Sequence, residues 1–216
     1  DNGSMATLNS YDEVLLAEKL CKIHPWAEQV RYTKTGGEAM SVAIRLARAK
    51  TQKEKILFSG YHGWHDWYLS ANLSGDLLSK GHLLPGLDPL GVPNSLKGTA
   101  VPFAYNNIDE FLKAFNENKN KIAAVVIETV RNMYPKDEFF KVIKKVCKKE
   151  GILLIFDEIT AGFKMNIGGS HLKFNKCKNC ECNNELNCYT PDIAVFAKAM
   201  TNGYPLAAII GKKEVM

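Results

Sequence analysis

Arginine is scarce in this sequence: only Arg31, Arg45, Arg48 and Arg131 occur, and the formal charge of +5 rests mainly on dispersed lysines. Without a basic block interleaved with aromatics, the electrostatic footprint of a nucleic-acid binder is missing. No apolar stretch approaches the roughly 18 residues needed to span a bilayer. The opening residues, DNGSMATLNS, lack the charged-then-apolar pattern of a secretory signal. The expectation is a cytoplasmic protein that engages neither nucleic acid nor membrane. A disulfide framework is also missing, because four of the six cysteines crowd into Cys177 to Cys188 of a 216-residue chain. Internal repeats are absent as well.

What is present is the composition of an ordinary globular protein, 46% hydrophobic and 24% charged, which suffices for one sizeable core and argues against large-scale disorder. The chain is organised around Ile152 to Ile159, ILLIFDEI, where a β-branched apolar run stops abruptly at two carboxylates. Such a run suits a strand buried on both faces of a parallel sheet, and ligands bind beyond the carboxyl ends of such strands. Asp157 sits there. A carboxylate at that mouth needs a partner, and a protonated heterocyclic nitrogen is a suitable one. A second run, Ile193 to Ala197, leads directly into Lys198 and the turn-rich Thr201 to Pro205. In a desolvated site at a strand end, a lysine ammonium is destabilised and the amine becomes a nucleophile toward aldehydes. Together Asp157 and Lys198 suggest pyridoxal phosphate, although Asp-Glu after a strand is also common in nucleotide-binding proteins and most lysines are solvated.

Along the chain, Tyr11 to His24 carries Val14, Leu15, Ala17, Leu20 and Cys21 on one helical face, with Ser10 and Asp12 as start signals and Pro25 as the stop. Gly36-Gly37 then opens a helix expected over Ala39 to Lys50. Paired glycines at a helix start admit two readings, a backbone phosphate cradle or a plain cap. After a strand at Lys55 to Ser59 comes GYHGWHDWY, either a hydrophobic plug or rings presented at a tight turn against a flat cofactor. Ser70 to Gly98 shows no period and reads as a long loop. Strands are expected at Thr99 to Phe103 and Ile122 to Ile127, the latter ending at Glu128, with a helix at Ile108 to Phe115 between them. The lysines of the helix from Asp137 to Lys149 form a solvated face. Alternating strands and helices predict an α/β domain with a largely parallel sheet.

Four stretches, VRYTKTGGEAMSVAIRLARA, GYHGWHDWY, FDEITAGF and FAKAMTNGYPLAAIIG, occur in the order found in the class III aminotransferases. The chain resembles that family, and within it the branch similar to glutamate-1-semialdehyde aminomutase. The resemblance implies a fold-type I PLP-dependent transferase large domain, a mixed but mostly parallel sheet sandwiched by helices. It spans residues 1–216 and is incomplete, with the small domain absent, because the family's chains are about twice this length. The implied activity is pyridoxal-phosphate-dependent amino-group transfer, by an aminotransferase or aminomutase, between a small-molecule amino donor and a carbonyl acceptor, in a homodimer. A non-catalytic fragment that keeps the scaffold as an interaction module is the alternative.

Residue by residue, the resemblance places Lys198 at the Schiff-base lysine and Asp157 at the carboxylate that pairs the pyridinium nitrogen. Ile159 and Tyr61 fall at the positions on the two ring faces, with His62 beside Tyr61. Gly36 and Gly37 match the phosphate turn, and Glu128 the strand-end glutamate near the ring hydroxyl. Three departures stand out. A hydroxyl residue usual at the position of Gly37 is missing, and Lys164 replaces the arginine that usually follows the GF pair, so bidentate carboxylate recognition is in doubt. The third is an insertion at 175–189 carrying Cys177, Cys180, Cys182 and Cys188 as C-x2-C-x-C-x5-C. Four thiolates on so polar a loop are candidate zinc ligands; an iron–sulfur cluster or free surface thiols are the other readings.

Overall fold

The structure is a computed structural model that describes residues 10–74, 87–130, 132–174 and 189–216. Ahead of the sheet comes helix α1 (Tyr11–Ile23), started by a reciprocal capping box in which Ser10 Oγ accepts from Glu13 N and the Glu13 carboxylate accepts from Ser10 N. Strand β1 (Gln29–Thr33) then leads into α2 (Gly36–Thr51), which opens with the same device built from Thr35 and Glu38. Gly36 and Gly37 therefore lie inside the first turn of α2, three residues ahead of the start expected from hydrophobic periodicity. The cap pair sets the start, and its side chains are polar, so an apolar pattern does not register it.

The remaining elements are β2 (Lys55–Ser59), α3 (Asp66–Leu69), β3 (Ala100–Pro102), α4 (Ile108–Glu117), β4 (Ile122–Glu128), α5 (Asp137–Glu150), β5 (Leu153–Asp157), α6 (His171–Phe174), β6 (Ile193–Phe196) and β7 (Ala207–Gly211). Short 3-10 turns occupy Ser70–Ser74 and Asn94–Leu96, within the segment expected as a loop without regular structure. The seven strands form one sheet in the order β1-β7-β6-β5-β4-β2-β3. Strands β2 to β6 pair in parallel, whereas β7 runs antiparallel to both β6 and β1. Mixed, mostly parallel and helix-covered, this is the α/β architecture expected from the chain's alternation.

The central strands divide their side chains between two cores. On one face Phe58, Val126, Ile155 and Ile209 pack with Met40, Ala43, Ile44 and Ala47 of α2. On the other, Leu57, Val125, Phe156 and Ile210 pack with Phe111 of α4 and with Phe139, Phe140 and Ile143 of α5. Every residue of β4 is buried, which is why it reads as an unbroken apolar run rather than an alternating one. Burying a side chain such as Phe140 stabilises the fold by roughly 1.5–3 kcal/mol. The register sets Glu128 directly beside Asp157 and Asp157 beside Val195, so three adjacent parallel strands deliver their carboxyl ends to one edge of the sheet.

Candidate active site

At that edge a cleft of about 710 Å³ opens, and six of the residues picked out from the sequence line it: Gly36, Gly37, Tyr61, Asp157, Ile159 and Lys198. They come from four separate segments, the start of α2, the turn after β2 and the ends of β5 and β6. Asp157, at the last position of β5, is only 4% exposed. Its Oδ2 lies 2.8 Å from His62 Nδ1, and its Oδ1 accepts from Ile159 N at 3.0 Å. The carboxylate is thus held from two sides while it faces the cleft.

Lys198 Nζ donates to Thr160 Oγ1 at 3.0 Å. The residue begins a 3-10 turn with φ of +47°, in the left-handed region, which costs a non-glycine residue about 1 kcal/mol or more. Its side chain is exposed. The desolvated lysine expected from the strand-end position is therefore not formed by the described residues, because the cleft is open on that side.

The glycine pair has steric reasons that the sequence did not show. A Cβ on Gly36 would stand 2.8 Å from Ile159 Cδ1, and one on Gly37 would stand 2.8 Å from His65 Cδ2. Ile159 and His65 press against the start of α2 where only glycine leaves room. The first-turn amides of Gly36 and Gly37 bond to no described residue, so they are available to an anion at the positive end of the helix dipole.

Two of the expected residues stand behind the cleft instead of lining it. His62 is 1% exposed, stacks on Trp67 at 6.1 Å between ring centroids, and reaches the cleft only through Asp157. Glu128 is 8% exposed; its Oε2 accepts from Tyr61 N at 3.0 Å and abuts Gly60, which adopts φ of +122°. It fixes the turn that presents the Tyr61 ring. Glu158, next to Asp157 in sequence, is directed away and fully buried. It accepts from the Ser170 and His171 amides, from Ser170 Oγ at 2.7 Å and from His171 Nδ1 at 2.7 Å. Burial alone would raise its carboxyl, but these donors and the His171 imidazole outweigh burial and hold it below the usual range.

Sequence reasoning missed Thr160, which engages the lysine, and His65, which reaches the glycine pair. The signal for His65 was present in GYHGWHDWY but was read as part of an aromatic turn. Exposed Trp64 and Tyr204 also line the cleft. The four cysteines proposed for zinc, Cys177, Cys180, Cys182 and Cys188, lie outside the described residues. Among the described residues no group of three or more histidines, cysteines and carboxylates is arranged to hold a metal, and no helix is long and apolar enough to cross a membrane.

Residues 3–216 match the family described as Aminotransferase class-III. The chain belongs to that family. As a class III chain it is 35% identical over 210 residues to the glutamate-1-semialdehyde 2,1-aminomutase of Methanocaldococcus jannaschii, covering 94% of this chain and 45% of that protein. It is 33% identical over 207 residues to the 3-aminobutyryl-CoA aminotransferase of Cloacimonas acidaminovorans, covering 93% and 43%. Among solved structures it resembles the PLP internal aldimine form of the Sphingopyxis sp. MTA144 FumI protein, with a TM-score of 0.75 and 26% identity over 97% of this chain and 45% of that one. This class III chain therefore spans about half the length of the curated relatives it matches. Its sheet and helices are those of the PLP-dependent transferase fold.

Proposed function

We propose that this chain carries the cofactor half of a pyridoxal-phosphate-dependent aminotransferase or aminomutase. One observation carries the reading: an amine at Lys198, a doubly supported carboxylate at Asp157 and the free amides of Gly36 and Gly37 converge on a single cleft. These residues fit the group chemically. Lys198 Nζ suits its aldehyde, Asp157 its ring nitrogen, the two amides its phosphate, and Tyr61 and Ile159 the two faces of a flat ring. When bound, the cofactor supplies an aldehyde that takes up an amine and a ring that accepts the electron pair left by proton removal.

The chain's own residues do the rest. Asp157, anchored by Ile159 N and His62 Nδ1, would keep a proton on the cofactor's ring nitrogen. Lys198 Nζ, steadied by Thr160, is the base that moves a proton to and from the substrate carbon. Glu128 keeps Tyr61 in place by accepting its backbone N–H.

The substrates on this reading are a small-molecule amino donor and a carbonyl acceptor, in keeping with relatives named as an aminomutase and an aminotransferase. A homodimer is part of the proposal as well. Its support is the large exposed rings at the mouth of the cleft, Trp64 at 70% and Tyr204 at 80%, together with the apolar residues Val14 and Leu15 left exposed on α1. The test is spectroscopic titration of the intact protein with pyridoxal 5'-phosphate, followed by amino donors. Absorbance changes that appear on cofactor addition and reverse with an amino donor are expected. A protein that binds the cofactor but responds to no amine would instead favour the interaction-module alternative.

A further inference from the structure

The first turn of α2 engages its own polar side chains with its own backbone. Thr35 Oγ1 accepts from Glu38 N at 3.2 Å, Glu38 Oε2 accepts from the amides of Lys34 and Thr35 at 3.0 and 2.8 Å, and Ser41 Oγ donates to Gly37 O at 3.1 Å. With glycine at 37, that position brings no side-chain donor to the cleft, and the Thr35 hydroxyl beside it is held by Glu38 N. The space is filled instead by His65, whose Nε2 stands 2.9 Å from where a Cβ of residue 37 would be.

The imidazole lines the same cleft as the glycine amides and makes no hydrogen bond to another described residue. Its position is fixed by the backbone. His65 O accepts from Tyr68 N at 2.9 Å and Leu69 N at 3.1 Å, and Gly63, with φ of +93°, lies so close to α2 that a Cβ there would stand 3.2 Å from Gly37 Cα. Buried Trp67 and Tyr68 anchor the turn from the other side.

We propose that His65 is a phosphate ligand, its Nε2–H donating to the cofactor phosphate beside the Gly36 and Gly37 amides, in place of a side-chain donor at position 37. This role rests on the PLP reading, and binding measurements separate the two. A competing role for the imidazole is to neutralise Glu38, whose carboxyl is held low first by the Thr35 backbone hydrogen bond and, more weakly, by His65.

The apo form of the intact protein is titrated with pyridoxal 5'-phosphate and with pyridoxal, which lacks the phosphate, and inorganic phosphate is used as competitor against the former. His65→Ala should weaken binding of the phosphorylated cofactor and of inorganic phosphate about tenfold while leaving pyridoxal within about twofold, as expected for one lost hydrogen bond to a charged group. Adding Gly37→Ser to His65→Ala should recover most of the loss, because the vacated space admits the hydroxyl. In a Glu38→Gln background the loss should persist. Unchanged affinity in His65→Ala, an equal loss for both ligands, or a loss that vanishes in Glu38→Gln would each overturn the assignment. A wild-type protein that binds neither ligand would overturn the PLP reading and this role with it, whereas wild-type binding with an indifferent His65→Ala would overturn this role alone.

Discussion

His62 Nδ1 stands 2.8 Å from Asp157 Oδ2 in a pair almost wholly removed from solvent. Because the carboxylate accepts, Nδ1 carries the hydrogen, and Nε2 is left buried without a partner among the described residues. That arrangement leaves one ring nitrogen unsatisfied in order to orient the carboxylate. On the proposed function, Asp157→Asn should reduce turnover at least about a hundredfold, since a neutral amide does not hold a ring nitrogen protonated. His62→Ala should cost less, about tenfold, because Asp157 keeps its bond from Ile159 N. Steady-state rates of both variants check the order; equal losses would mean that His62 does more than position the carboxylate.

Lys198 should be the point of covalent attachment. Borohydride treatment of the protein with pyridoxal 5'-phosphate is expected to leave a stable secondary amine on the peptide containing Lys198, and none in Lys198→Ala. Peptide mass mapping reads the outcome, and modification of a different lysine would displace the assignment.

Gly60 tests the support beneath Tyr61. A methyl group there would run into the Glu128 carboxylate, and the φ of +122° disfavours any side chain. Gly60→Ala should destabilise the protein by about 1–3 kcal/mol and weaken cofactor binding, because the turn must shift to relieve the contact. Urea unfolding measures the first effect and cofactor titration the second.

A pH dependence of stability should arise behind the site, at His24. Its Nδ1 donates to Leu20 O at 2.9 Å and its Nε2 accepts from Gly169 N at 2.8 Å, with the His171 and Trp26 rings close by. Burial is the main cause that lowers its pKa from 6.5 to about 4. Below 6.5 the unfolded chain takes up a proton that the fold refuses, so this contribution is complete above 6.5 and is lost as pH falls toward 4. Its full size is about 3 kcal/mol. Glu158 acts in the same direction at lower pH: its contribution is present above 4.5 and disappears as pH drops through its depressed folded value. Urea midpoints measured between pH 4 and 6.5 should slope less steeply in His24→Gln, which keeps hydrogen-bonding capacity without titrating there.

Much of the fold was legible because strands covered on both faces are written as unbroken apolar runs. Ile122 to Ile127 and Ile193 to Ala197 were found that way, to within a residue or so at their ends. Strand β7 was not assigned, although its paired isoleucines suit a strand, because the run is short and follows directly on a turn. Its slot between β1 and β6, antiparallel to both, is decided by partners far away in sequence. The capping boxes of α1 and α2 were only partly read, because their chemistry lies in polar residues outside the hydrophobic period.

By itself the sequence determined the α/β class, the strand ends carrying Asp157, Glu128 and Lys198, and the glycine pair that opens α2, because local periodicity, turn chemistry and ordered motifs are properties of neighbouring residues. Only the tertiary structure decided which of those residues share one cleft. It moved His62 and Glu128 into support positions, directed Glu158 onto His171 and Ser170, left Lys198 open to solvent, and brought His65 against Gly37. Those outcomes depend on the register of β4 with β5 and on the close approach of the turn after β2 to α2, contacts between segments tens of residues apart that no local pattern encodes.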